Sequence, residues 1–205
     1  MRSSRIALSA EAGRAITVEP TVEPVSLDDA KRHLRVTSTL DDGYIGGLIT
    51  AARKYAERRT RRAFITQTWA IKLERFPDSS SSLYLPVPPL QSITSITYVD
   101  QDGATQTWSS GSYKALTSHL PGRVVLEYGE VWPTSLRDDP EAVVITFVAG
   151  YGDAATDVPQ EIKQAILLMV GHWYANREPV AATTMSKIPL TVDSLLGSYL
   201  YLGVV

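Results

Sequence analysis

Three histidines and three clusters of aspartates are the groups in this sequence whose chemistry could move a proton or hold a metal ion. A hydrolytic or group-transfer site needs a nucleophile, a base and a set of donors for the developing charge. His33 follows Lys31 and Arg32 in a short basic helix and reads as part of a solvated face. His119 sits in a loop ahead of Pro121, and His172 adjoins Trp173 on a helix, where a packed or capping role is the natural one. None of the three lies in a G-x-S-x-G or H-E-x-x-H frame. Asp41 and Asp42 open a helix, Asp100 and Asp102 flank a hairpin turn, and Asp138 and Asp139 precede Pro140 in a loop. No cluster has the spacing of oxygen ligands that a calcium loop requires. Gly150-Tyr151-Gly152 is a lone G-x-G after a strand, with no phosphate-binding frame behind it, and reads as turn chemistry. There is no cysteine, which removes disulfides, thiolate metal sites and cysteine nucleophiles. The sequence therefore assigns no catalytic residue, no metal ligand and no cofactor, and no enzyme is expected.

One charged run could carry a different kind of function. Arg53, Lys54, Arg58, Arg59, Arg61 and Arg62 crowd the end of a helix. Cations there suit the negative end of the helix dipole, and a solvated end paired with acidic neighbours accounts for them. Two sharper readings are a subunit interface and a face for DNA phosphates, the latter independent of sequence and sensitive to salt. The formal net charge is -2, which supplies no global attraction to nucleic acid.

The elements that position these groups can be read from periodicity. With 44% hydrophobic and 20% charged residues over 205 positions, the chain can build a core of ordinary size. No apolar stretch approaches the roughly 20 residues needed to cross a membrane, and the arginine-bearing start has no apolar run of the signal-peptide kind. Residues 1–25 read as a flexible arm, with Pro20 and Pro24 favouring extended backbone. Helices are expected over about 26–35, 40–62 and 158–177. The first opens at Ser26 with Asp29 three residues on, the second at Thr39, and the third at Asp157 with Pro159 in its first turn. Ile45, Leu48, Ile49, Ala52 and Ala56 in the second helix, and Ile162, Ala165, Ile166, Met169 and Val170 in the third, recur at helical spacing. Between them, about 66–150, the period changes to two. Ile93, Ser95, Thr97 and Val99 oppose Thr94, Ile96 and Tyr98, and Asp100–Gly103 makes a hairpin turn. The fold class is α+β: a small α-helical bundle with a β-rich antiparallel insertion between the second and third helices, in one domain spanning 26–187. Residues 188–205 form an apolar tail. Leu195, Leu196, Tyr199, Leu200, Tyr201 and Leu202 would expose an aggregation-prone surface unless buried. They either dock on a partner or complete the chain's own core.

Several strings occur in a recognisable order. Leu27 to Leu34 with Arg35-Val36 is followed by Asp41-Asp42, then Leu48-Ile49, Arg53, Ala56-Glu57 and Thr60-Arg61-Arg62-Ala63. Next come Ile65 to Trp69, then Leu85-Pro86, Pro88-Pro89-Leu90 and Ile93 to Tyr98. Ala149 to Asp153, Val158 to Ile166, His172-Trp173-Tyr174 and Asn176-Arg177-Glu178 complete the set. Together, over roughly residues 25–200, the chain resembles the head–tail connector (adaptor) proteins of long-tailed phages, prophages and gene transfer agents. The resemblance implies a virion protein assembled in a bacterial cytoplasm. It implies a homo-oligomeric ring of twelve subunits below the portal protein, meeting a tail stopper or tail terminator on the other side. It also implies DNA passing through the channel without sequence-specific binding, and neither catalysis nor a cofactor nor a membrane partner. The docking role of the tail is the expectation that follows for Leu195, Leu196, Tyr199, Leu200, Tyr201 and Leu202.

Overall fold

The computed structural model describes residues 13–77, 82–177 and 190–201. These residues divide between two compact units, a helical unit drawn from 20–65 and 151–201 and a β unit drawn from 13–19 and 66–150.

The helical unit contains α1 (Leu27–Leu34), α2 (Asp42–Thr60), α3 (Gln160–Ala175) and α4 (Leu190–Gly197). Ser26 caps α1 as its sequence requires, accepting from the Asp29 amide at 3.0 Å and donating to the Asp29 carboxylate at 2.6 Å. Both α1 and α2 end on an arginine in the left-handed region, Arg35 at φ 58° and Arg61 at φ 57°. Glycine is the usual residue there. The orphaned carbonyls are satisfied nonetheless, because Val36 donates to Lys31 and Arg62 donates to Glu57. One continuous core joins all four helices: Ile45, Ile49, Ala52 and Ala56 from α2, Ile162, Ala165, Ile166, Met169 and Val170 from α3, Ala30 from α1, and Val192 and Leu196 from α4. Phe64 and Ile65 close it from below α2. The chain leaves this unit at Ile65 and returns at Tyr151. The two crossings are stitched by a parallel bridge between Ile65 and Gly152 and a 3.0 Å bond from the Tyr151 amide to the Phe64 carbonyl.

Two helix starts differ from expectation. The second helix opens at Asp42, with Asp41 rather than Thr39 at its N-cap, and the Asp41 carboxylate makes no capping bond but is held by Tyr174 of α3 and by Arg177 just beyond it. The third opens after Pro159, two residues beyond Asp157. Asp157 instead closes a 3-10 turn, its carboxylate accepting from the Ala154 amide at 3.0 Å. That carboxylate fills the place where a Cβ on residue 152 would stand, 2.1 Å away, so position 152 must be glycine.

The β unit holds β1 (Gly13–Val18), β2 (Gln67–Leu73), β3 (Leu83–Tyr84), β4 (Leu90–Val99), β5 (Thr105–Thr107), β6 (Tyr113–Leu116), β7 (Arg123–Leu126) and β8 (Val143–Ala149). All pairings among these strands are antiparallel, in a five-stranded sheet ordered β1-β2-β8-β4-β5 and a three-stranded sheet ordered β3-β7-β6. Seven of the strands lie between α2 and α3 in the chain. The eighth corrects the arm: Gly13–Val18 is not a flexible leader but an edge strand on β2, with Ile16 opposite Trp69. Residues 20–25 are likewise held, with Pro24 and Val25 buried and Glu23 bonded to α2.

Strand β4 also corrects the simple alternation. Its register slips twice against β8, at Gln91 and at Thr94. Leu90, Ile93, Ile96 and Tyr98 therefore pair with Ala149, Phe147, Ile145 and Val143, all on the buried face of β8. Each bulge adds one residue and returns the next apolar side chain to the core. Beside the sheet, Phe76, Tyr98, Trp108, Tyr113 and Trp132 form an aromatic cluster with ring centroids 5.1 to 6.0 Å apart.

Candidate interaction surfaces

The basic end of α2 is not one patch. Arg53 is buried, 3% exposed, and its guanidinium bonds Glu23 at 2.7 Å and Glu57 at 2.9 Å. Burial alone pulls the Arg53 guanidinium down, but the bonds and charges of Glu23 and Glu57 outweigh it and hold it above its ordinary value. Arg53 therefore belongs to the interior, which corrects its assignment to a DNA-facing or subunit-facing patch. Glu57 also accepts from the Phe64 amide at 3.0 Å, so this group ties the start of the chain's helical unit to the exit toward the β unit. Arg59 reaches Asp193 of α4 at 3.3 Å, and Arg62 donates to the Tyr199 carbonyl at 2.6 Å. Lys54, Arg58 and Arg61 remain exposed. Arg58 bonds the Lys54 carbonyl through Nε, and among the described residues neither Arg58 nor Arg61 carries an ion pair.

The apolar tail divides in the same way. Leu196 is 1% exposed inside the helical core. That corrects its assignment as a docking side chain, because helical spacing from Val192 turns both inward. Leu195 and Tyr199 pack at the margin of this core, and the Tyr199 hydroxyl donates to Glu161 at 3.0 Å. Leu200 and Tyr201 are half-buried, and the Tyr201 amide donates to the Thr60 carbonyl at the end of α2. Leu202 lies outside the described residues, as does the polar stretch 181–187.

Two clusters were not singled out by sequence. In the first, the Tyr174 hydroxyl donates to Asp41 at 2.5 Å and Arg177 donates to the same oxygen at 2.8 Å. The Arg177 guanidinium lies 4.7 Å from the ring centres of both Tyr44 and Tyr174. The hydrogen bond from Tyr174, followed by that from Arg177, holds the Asp41 carboxyl below the usual carboxylate range. The cluster locks the start of α2 to the end of α3. Its sequence signal was the tyrosine three residues before a helix-end cation, Tyr174 and Arg177, but nothing local pointed to Asp41 as the partner. The second is the turn after β7. Tyr128 is 105% exposed and Val131 75% exposed, flanked by exposed Glu127 and Glu130. Only their joint exposure marks them, and a sequence does not display exposure.

The described helices include none long and apolar enough to cross a membrane. What the fold defines is a class: an α+β chain with a helical unit closed by its own C-terminal helix and a β unit of two antiparallel sheets, the architecture of chains in gene transfer agent necks. A chain from the neck of an empty gene transfer agent particle, computed with C6 symmetry, superposes with a TM-score of 0.77 at 20% identity, covering 94% of this chain and 97% of that chain. A chain from the virion of a native gene transfer agent particle gives 0.74 at 20% identity over 94% and 97%. A chain from the neck of a native particle, computed with C12 symmetry, gives 0.69 at 22% identity over 95% and 97%. Residues 24–114 match the family model of phage gp6-like head-tail connector proteins, the family that the sequence resembles. Among curated proteins no sequence matches the chain.

Proposed function

We propose that the chain is a structural subunit of the head–tail connector of a tailed phage or gene transfer agent. The observation that carries this reading is the agreement of fold over nearly the whole chain with neck chains, joined to the connector-family match over residues 24–114. In this reading twelve copies form a ring below the portal protein. The ring joins the DNA-filled head to the tail, leaves a channel for DNA, and offers its far side to a tail stopper or tail terminator. The chain works as a scaffold, assembled in the bacterial host and retained in the virion at the head–tail junction.

The distribution of side chains supports a scaffold. Ordered charge is used to join elements, as at Arg53 and Asp41, rather than gathered in a cleft. The partly exposed end of the tail, Leu195, Tyr199, Leu200 and Tyr201, stays the proposed margin for a portal or neighbouring subunit, set on a helix that the chain's own core already anchors. Light scattering on the full chain, alone and mixed with the portal protein of the same particle, tests the reading. A ring, free or formed on the portal, is the expected result. A strict monomer that ignores the portal would overturn it.

A further inference from the structure

Residues 127–131 form a rigid, fully presented tip in the β unit. The Glu130 amide donates to the Glu127 carbonyl at 3.1 Å, and Gly129 has φ +84°, the geometry of a turn whose third residue must tolerate the left-handed region. On one side the tip is held by β7, with the Glu127 amide bonded to the Ser112 carbonyl at 3.1 Å. On the other, Trp132 is buried and stacked on Phe76 at 5.4 Å. The strand and the anchored ring fix both ends, so Tyr128 and Val131 stand in solvent without the freedom of a loose loop.

An aromatic ring presented this way is the kind of side chain that dominates the energy of a protein interface. Its neighbours decide the partner. Glu127 and Glu130 repel phosphates, which disfavours nucleic acid, and attract a basic surface. The same chain carries such a surface: Arg58 and Arg61, exposed at the end of α2 and without an ion pair among the described residues.

We propose that the 127–131 tip of one copy docks on the Arg58–Arg61 end of α2 in a second copy of this chain. Two different patches meeting head to tail generate a closed ring when the rotation closes, so the contact deepens the connector reading and rests on it. Each contact is weak alone, and ring closure makes the set strong. The contact also explains why the arginines are left open while Arg53, Arg59 and Arg62 are engaged within the chain.

The test is a charge swap in the full chain, read by sedimentation at low and high salt, alone or on the portal protein where assembly requires it. Glu127→Arg with Glu130→Arg, and separately Arg58→Glu with Arg61→Glu, are each expected to weaken assembly about tenfold or more. Combining the four substitutions restores it, and Tyr128→Ala weakens it with the melting temperature unchanged. Assembly that survives either reversal, or that the combined variant fails to regain, overturns the docking while leaving the ring reading intact. Reversal of Arg58 and Arg61 that abolishes duplex binding but not assembly assigns them to DNA and also overturns it. A wild-type chain that assembles neither alone nor on the portal removes the ring reading itself, and the docking with it.

Discussion

The helical unit and the β unit bury their apolar surface by different means. The helical unit packs small and aliphatic side chains, Ala30, Ala52, Ala56, Ala165, Ile45, Ile49, Ile162 and Ile166, at helical spacing, and pins the elements together with buried or half-buried charge. The β unit uses Phe76, Trp108 and Trp132, a twice-bulged strand, and a proline-rich turn in which Val87 takes φ +64°. A β-branched residue in that region is strained, and the packed loop around it must hold it there. The contrast teaches where each unit is vulnerable. The helical unit depends on a few charge contacts that join distant segments. The β unit depends on the volume of its aromatic side chains, and it is the unit that carries the exposed tip.

The largest effects separate these two dependences. Arg53→Ala removes the buried cation that Glu23 and Glu57 share and is expected to cost about 3–5 kcal/mol, read by urea unfolding. Arg58→Ala on the same helix should stay within about 0.5 kcal/mol. Equal costs for the two would break the distinction between an interior and an exterior arginine. In the β unit, Phe147→Ala is expected to cost about 3–5 kcal/mol through transfer and cavity effects, with no change in salt dependence, whereas the Arg53 variant alters it. Leu196→Ala follows at about 2–5 kcal/mol. A cost near zero in the free chain would mean that α4 does not belong to the helical core, and would return the whole tail to a docking role.

The smallest expected effect is the share of the pH dependence that the Asp41 cluster of the helical unit contributes. Asp41 is held below its ordinary value by Tyr174 first and Arg177 second. A depressed carboxyl contributes stability above its unfolded value, about pH 4, and loses it as pH falls through the folded value. The melting temperature should therefore fall on acidification below about pH 4. Asp41→Asn should flatten that part of the fall and slightly lower stability at neutral pH. An Asp41→Asn profile parallel to wild type would show that the cluster does not join α2 to α3 in solution.

Legibility followed the same division. Helical spacing from Ile45 to Ala56 and from Ile162 to Val170 located α2 and α3 within two residues, because one stripe faces one core. Helix α4 read only as an apolar tail, since Val192 and Leu196 offer a single helical repeat. In β4 the spacing Leu90, Ile93, Ile96, Tyr98 contradicts strict alternation, and only the register with β8 shows that two bulges reconcile it. Edge strand β1 was hidden because its side chains are mostly exposed and carry no apolar pattern. Among the surface candidates, residue type identified the arginines but not their partners. Glu23, thirty residues before Arg53, and Asp41, far before Arg177, are contacts of the folded chain that local sequence does not encode.

The most direct test of the connector reading is imaging of the particle with this chain marked by an inserted epitope in the exposed hairpin turn at Asp102-Gly103. The account predicts a ring of label at the neck, between portal and tail, and tailless heads when the chain is deleted. Label elsewhere in the particle, or intact tailed particles without the chain, would contradict it.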